Sequence, residues 1–395
     1  MLFYGLLNLS FTGYVVVVLI FTQISIAMQT LFLHRSQAHR GLTLHPVVNH
    51  FFRFWMWLTT GIVTKAWVAI HRKHHAKCET SEDPHSPQIL GLATVFFQGS
   101  ELYRKEAANL ETLARYGAGT PDDWIEQNVY TKYHSKGILL MLLIDIVLFG
   151  VPGIMVWAIQ MAWSPLFAAG IINGIGHFWG YRNFDCPDAG RNIVPWGIII
   201  GGEELHNNHH AYPTSSKLSI KPWEFDIGWL YIRILQTFGL AQPTRVVPVA
   251  QSESGKTEMD GETLGALIQN RIHVMAEYTK QVLLPTFKAA MQEARQEGAV
   301  KAEKMLKHAR NVLVKEAISD TLGKRHVEHA LSHNESLAQV YDFKTRLQAI
   351  WDHTTATQKE LLDALHQWCQ EAEATGEKAL RKYSDYIKGY KLKRA

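Results

Sequence analysis

Three histidine clusters stand out as residues that could do chemistry: His34-Arg35-Ser36-Gln37-Ala38-His39, His71-Arg72-Lys73-His74-His75 and His206-Asn207-Asn208-His209-His210. The last two share the spacing H-x-x-H-H. On an α-helix, residues i, i+3 and i+4 project from one face because a turn takes about 3.6 residues, so this spacing predicts three imidazoles converging on one place. Neutral imidazole is a good ligand for iron, zinc and copper, and eight histidines exceed what one four-coordinate zinc ion uses. Two metal ions are the natural count. Hydrolysis on redox-inert zinc needs no such shell, whereas O₂ chemistry on a hydrocarbon needs a redox metal, which favours iron. Taken singly, each cluster reads as surface histidines or a basic loop. Two copies of one spacing, with a third pair at the end of an apolar run, argue against coincidence. His45, His50, His85 and His134 lack the repeated spacing and are expected to pack behind the ligands or to be incidental, and the histidines of the tail to be exposed.

The elements that must position these side chains follow from hydropathy. The run from Val15 to Leu33 is almost free of charge and long enough for one membrane span. His34-Arg35 follows it at once, which places that end in the cytoplasm. No Lys or Arg precedes the run and no small-residue cleavage site follows it, so it does not read as a removable signal peptide. A second apolar block, Phe51 to Ile70, contains Arg53, Lys65 and a belt of Phe51, Phe52, Phe54, Trp55 and Trp57. Only 31 residues separate His39 from His71, while two crossings need roughly 40. If both clusters serve one centre, this block lies along the interface instead of crossing. The blocks Gly137 to Gln160 and Pro165 to Tyr181, separated by Met161 to Ser164 as a tight turn, predict a helical hairpin that crosses twice. The expected fold is an all-α integral membrane protein with about three transmembrane helices, its amino terminus outside, interfacial helices, and a cytosolic helical cap holding two metals.

Composition divides the chain into a membrane domain over 1–245, a linker over 246–263 and a charged helical tail over 264–395. In the tail Leu264, Leu267, Ile268, Ile272, Met275 and Tyr278 recur at helical spacing. A formal net charge of +4 without a basic stripe sets nucleic acid aside as a partner. The three cysteines, Cys78, Cys186 and Cys369, form no C-x-x-C pair and imply neither a disulfide framework nor a thiolate cluster. Asp83, Asp185, Glu203, Glu204 and Asp226 lie near enough in sequence to accept an imidazole N–H and orient a ligand.

Residues 14 to 240 resemble the membrane-bound fatty acyl desaturases of the delta-9, stearoyl-CoA desaturase-like type, especially bacterial members. The resemblance rests on His34 to His39, on His71 to His75 continuing into Glu82-Asp83-Pro84-His85, and on Gly202-Glu203-Glu204-Leu205 leading into His206 to His210. The block Asn173-Gly174-Ile175-Gly176-His177 is similar to a further metal-binding segment of that family. It implies His177 as a ninth ligand beside His34, His39, His71, His74, His75, His206, His209 and His210, with Asn173 approaching one ion through water. The resemblance implies two non-haem irons, O₂ as co-substrate and a cis double bond, at delta-9, in a long acyl chain carried on coenzyme A or in a membrane lipid. No haem, flavin or cysteine-cluster motif is present, so electrons are expected from a ferredoxin or a cytochrome b5-like protein with its reductase. The expected location is the bacterial inner membrane with the site facing the cytoplasm. Two alternatives stay open: a di-iron hydroxylase of alkyl or acyl chains, and a metal-binding or metal-transporting membrane protein.

Overall fold

The computed structural model describes residues 3–253, 255–315, 321–353 and 355–393, which divide into two units. The first takes in Met1–Tyr181 and Gly190–Val247, the second Arg182–Ala189 and Pro248–Ala395.

The first unit is built on two long apolar helices. Helix α1, Phe11–Ala38, starts where the Ser10 hydroxyl accepts the Gly13 N–H at 3.2 Å. It is 28 residues long and its most apolar 18-residue stretch has a mean hydropathy of 2.1, enough in length and composition to cross a membrane. Its amino-terminal half turns Phe11, Val15, Val16, Leu19 and Ile20 outward, while Met28, Leu31, Phe32 and Leu33 are buried with Leu42, Phe52, Met56 and Ile232. Its last eleven residues, Met28–Ala38, wind as a π-helix.

The apolar block after the first histidines is not one helix. Helix α2, Pro46–Thr59, and helix α3, Thr64–Lys77, have 14 residues each and are separated at Gly61, whose φ of +64° a side chain would resist. Each spans about 21 Å at 1.5 Å per residue, short of a bilayer core of about 30 Å. The Arg53 guanidinium in α2 is tied to Asp123 at 2.6 Å and to Glu126 at 2.9 Å. Short helices α4 (Pro87–Leu90), α5 (Leu92–Ala107) and α6 (Leu110–Tyr116) and a π turn at Glu126–Thr131 lead to α7, His134–Phe149.

Helix α8, Pro152–His177, is the second long apolar helix, with a mean hydropathy of 1.5 over its most apolar 18-residue stretch. It pairs with α7 as a hairpin, but the turn is at Gly150-Val151, not at Met161 to Ser164. Gly150 has φ +70°, and a Cβ there would come within 2.5 Å of the Phe3 carbonyl oxygen. Residues Met161 to Ser164 are helical, and Pro165 opens a π segment, Pro165–Ile172, that carries the helix on. The proline is tolerated because the wider turn changes which carbonyl would need its missing N–H. Helices α9 (His206–Ala211) and α10 (Ile227–Thr237) complete the unit. So do β1 (Leu42–Leu44), antiparallel to β4 (Ala241–Pro243), and the two-residue parallel pair β2 (Trp196–Gly197) and β3 (Phe225–Asp226).

The second unit contains α11 (Gly261–Gln269), α12 (Arg271–Tyr278), α13 (Leu284–Gln296), α14 (Val300–Lys315), α15 (Thr321–Ser332), α16 (Glu335–Asp352), α17 (Gln358–Ala374) and α18 (Lys378–Lys388). Their apolar faces enclose one core that includes Tyr278, Phe287, Val340, Leu347, Trp368 and Tyr383. Within the stretch read as linker, β5 (Val249–Ser252) pairs antiparallel with β6 (Tyr390–Lys393) and joins the two ends of the unit.

Candidate metal centre

The H-x-x-H-H spacing does not aim its three imidazoles at one point. Positions i and i+4 are about 40° apart around a helix, while i+3 is about 100° from i+4. Accordingly α3 sends His71 and His75 into one cluster and His74 into another, and α9 sends His206 and His210 to the second and His209 to the first. Each helix therefore serves both clusters, which abut where the His75 and His210 rings stack at 4.4 Å.

The first cluster also takes His34 and His39. Five residues apart, they would be rotated by about 140° on an α-helix. The π winding lengthens the turn towards five residues, and the His39 N–H donates to the His34 carbonyl at 3.1 Å. The result is a set of His34, His39, His71, His75 and His209 in which one nitrogen from each lies within 4.8 Å of all the others. Nε2 to Nε2 separations are 3.0 Å for His34 and His209, 2.8 Å for His39 and His71, and 2.9 Å for His75 and His209. In the second cluster the Nε2 atoms of His177 lie 3.2 Å from His74 and 2.8 Å from His206, with His206 and His210 3.2 Å apart. His177 reaches this cluster from a 3₁₀ turn, Ile175–His177, at the end of α8. All nine histidines of the sequence expectation thus fall into the two clusters. Asn173 is half-buried four residues before His177.

Carboxylates decide which nitrogen carries hydrogen. Nδ1 of His34 is 2.8 Å from Glu203, Nδ1 of His74 is 3.0 Å from Asp83, and Nδ1 of His177 is 3.0 Å from Glu79. A neutral imidazole whose Nδ1–H is donated to a carboxylate presents a bare lone pair at Nε2. Bare lone pairs at 2.8 to 3.2 Å repel unless a cation lies among them. Neighbouring nitrogens at about 2.1 Å from one ion and at right angles would be about 3.0 Å apart. The residues present therefore fit two metal ions. Burial, followed by the neighbouring imidazoles, holds His39, His71, His75, His206 and His209 well below the usual histidine range. Neutral imidazole, the form that binds metal, is thereby favoured.

Buried polar contacts hold these helices in place. Arg35, beside His34, forms a two-pronged pair with Asp226 at 2.9 and 3.0 Å and donates to the carbonyls of Gly201 and Ser216. Between the histidines of α9, Asn208 exchanges hydrogen bonds of 3.1 Å with Asn192, and Asn207 donates to the Gly190 carbonyl. Of the five carboxylates expected to orient ligands, only Asp83 and Glu203 touch an imidazole. Glu204 instead accepts the backbone N–H groups of Ile199, Ile200 and Gly202, and Asp185 belongs to the second unit and pairs with Lys344 at 2.9 Å. Glu79, which no spacing singles out, takes the His177 N–H from a backbone with φ +61°. His85 stacks on His74 at 4.4 Å. An apolar groove of about 450 Å³ runs along α1 and α10, lined by Leu19, Ile20, Ile24 and Tyr231 among others; no cluster histidine lines it.

Two long apolar helices whose carboxy-terminal ends meet at paired histidine clusters define a class of helical proteins with clustered histidines able to hold metal. The chain belongs to the fatty acid desaturase family: a model of that family matches residues 10–224, more than half of the 395-residue chain. Relatives include the probable lipid desaturase ADS3.2, chloroplastic, of Arabidopsis thaliana, 31% identical over 232 residues. Others are the Delta-9 acyl-lipid desaturase 1 of the same plant, 27% identical over 222 residues, and the sn-2 palmitoyl-lipid 9-desaturase of Nostoc sp. (strain 36), 33% identical over 188 residues. These matches take in 58%, 55% and 45% of this chain and span 62%, 70% and 61% of the relatives' own lengths. A transposase family model matches residues 266–393, in the second unit.

Proposed function

We propose that this protein is a membrane oxidoreductase that uses O₂ and two non-haem irons to introduce a cis double bond, at delta-9, into a long acyl chain esterified in a lipid. The observation that carries the reading is the convergence of nine imidazoles on two abutting clusters, two of them hydrogen-bonded through Nδ1 to carboxylates and a third, His34, with Glu203 2.8 Å from its Nδ1, in a chain of the desaturase family. His34, His39, His71, His75 and His209 would hold one iron; His74, His177, His206 and His210 would hold the other, with Asn173 approaching through water. Bound irons supply the oxidising power by which O₂ takes two hydrogens from adjacent methylenes and, with two electrons and two protons from outside, becomes two waters. The chain's own residues do the rest. Glu203, Asp83 and Glu79 aim the imidazoles, and the Arg35–Asp226 pair ties the end of α1 to the segment that follows α9.

Three membrane crossings suit this geometry. Helices α1 and α8 both deliver their carboxy-terminal histidines to the clusters, so they would cross in the same sense, and the stretch that ends in α7, itself about 24 Å long, would return the chain to the far side. The hairpin turn there meets the amino-terminal segment, with Leu6 and Leu7 donating to the carbonyls of Val147 and Leu148. Outward-facing Leu139, Leu143, Val147, Ile154 and Met155 suit contact with lipid. By the positive-inside argument at His34-Arg35, the clusters face the cytoplasm of a bacterial inner membrane. The relatives described above are named for lipid substrates, and others of similar identity for acyl-CoA; the lipid-linked chain is the carrier proposed, and the lipid-class analysis below decides between them. Electrons come from a separate ferredoxin or cytochrome b5-like donor. The test is the fatty-acid profile, by lipid class and double-bond position, of a host making this protein beside one making His74→Ala. New delta-9 monounsaturated lipid chains, absent in the variant, support the proposal; hydroxy acids would replace it with a hydroxylase.

A further inference from the structure

The two clusters have the same construction, and it accounts for one residue that imidazole chemistry leaves out. The first takes an i, i+4 pair from α3 (His71 and His75), a second pair from the π end of α1 (His34 and His39) and the single His209 from α9. The second takes an i, i+4 pair from α9 (His206 and His210) and the single His177 from α8. From α3 it takes His74, and four residues on, along the same stripe, lies Cys78 at the carboxy-terminal cap of the helix. Its Sγ is 3.8 Å from His74 Nε2, and it lies within 4.8 Å of the ligand atoms of His74, His177 and His210.

We propose that Cys78 binds the second metal ion as a thiolate, so that one ion has five imidazoles and the other four imidazoles and a sulfur beside the water that Asn173 would approach. The inference rests on the two-metal reading above. A thiolate at about 2.3 Å and an imidazole nitrogen at about 2.1 Å from one ion are about 3.8 Å apart when the angle between them is about 120°. The convergence of His74, His177 and His206 through Nε2, with Nδ1 of His74 and His177 committed to carboxylates, independently marks the place as a cation site. A contact with Glu79 Oε1 at 3.9 Å is longer than that carboxylate's 3.0 Å bond to His177. On binding, the S–H bond breaks and a sulfur–metal bond forms, the proton being released to solvent. No electron is transferred. Sulfur is a softer, negatively charged donor, so the two ions become inequivalent.

The test is the full-length protein in detergent, stripped of metal and reloaded with Co²⁺, beside Cys78→Ser. We expect two Co²⁺ per chain and a thiolate-to-cobalt charge-transfer band in the near ultraviolet that is lost in the variant. Metal loading should also slow alkylation of Cys78 by iodoacetamide at least tenfold, read by mass spectrometry of its peptide in the wild-type chain, which keeps the test sound if the variant does not fold. Two bound Co²⁺ without the band or the protection would overturn the sulfur ligand and leave the two-metal reading standing. Failure of the wild-type chain to take up Co²⁺ or Fe²⁺ would overturn both.

Discussion

In the first unit Arg35, Asp226, His177, Glu204 and Asn208 lie inside while Phe11, Leu19, Leu143 and Met155 face outward; in the second, Tyr278, Phe287, Leu347 and Trp368 lie inside. The second unit is arranged as water-soluble domains are, with one apolar core. The first keeps a small apolar cluster at the carboxy-terminal half of α1 and also buries ionisable groups, among them the pairs of Arg35 with Asp226 and Arg53 with Glu126 and the histidine clusters. Apolar packing dominates the interior of the second unit, with few buried charges among its described residues, such as Lys344 in its pair with Asp185. The first depends on matched charges, and its outward apolar faces suit a lipid surround.

The comparison breaks most visibly if metal ligands are removed. Replacing His177 or His209 by Ala should lower desaturation at least about 100-fold and reduce bound iron, because each removes a nitrogen from one cluster and nothing replaces it. Full iron content in either variant would remove that residue from the ligand set. The second unit should be indifferent to these changes, which limited proteolysis of the tail checks.

Buried-pair and core substitutions should then separate the units. Asp226→Ala leaves the Arg35 guanidinium buried without its carboxylate and should destabilise the first unit by about 3–5 kcal/mol. Loss of iron should accompany it, since Arg35 neighbours His34. In the second unit Trp368→Ala removes a fully buried indole whose N–H donates to the Phe343 carbonyl at 3.0 Å. It should cost a similar 3–5 kcal/mol, read as thermal unfolding, yet leave iron content unchanged. Equal iron loss in both variants would show that the units do not fold independently. A smaller effect is expected from Asp83→Asn, which keeps the shape behind His74 but weakens the hold on its Nδ1–H. Affinity for the second ion should fall about 10–100-fold while the first ion is retained, measured by competition with a chelator.

How much of this could be read from residues alone differs with the physics involved. The histidines were legible because their spacing repeats, but their division between two clusters was not. That division depends on the 100° between i+3 and i+4, which sets the target only once another helix is in place. The His34 to His39 spacing of five is the wrong period for an α-helix, and the π winding that reconciles it is set by tertiary packing. The hairpin turn had a signal in Gly150-Val151-Pro152, a glycine closing one helix and a proline opening the next. Hydropathy passes over it, because both residues lie inside an apolar run. Cys78 and Glu79 carry no pattern; each matters only because α3 ends there and the chain folds back towards His177. Strand β5, four residues long, offers too little alternation to betray itself among polar neighbours.

The mildest probe of the contrast is the exposed end of a buried pair. Arg53 is buried in α2, but its partner Asp123 is half-exposed while Glu126 is buried. The hydrogen bond from Arg53 holds the Asp123 carboxyl down at about 2, whereas an unfolded aspartate titrates near 3.9. Because the folded value is the lower one, the unfolded chain binds more protons between them, and stability falls as pH drops through that range. Asp123 should therefore contribute fully above about pH 4 and lose its contribution as pH falls towards 2. Its exposure limits the amount to less than about 1 kcal/mol, so Asp123→Asn should lower the thermal midpoint only slightly at neutral pH, and the gap from wild type should narrow below pH 4. Glu126→Gln, which leaves the buried guanidinium with only its exposed partner, should cost more at neutral pH. If the two variants cost the same, the polar interior of the first unit would be no more sensitive than its rim.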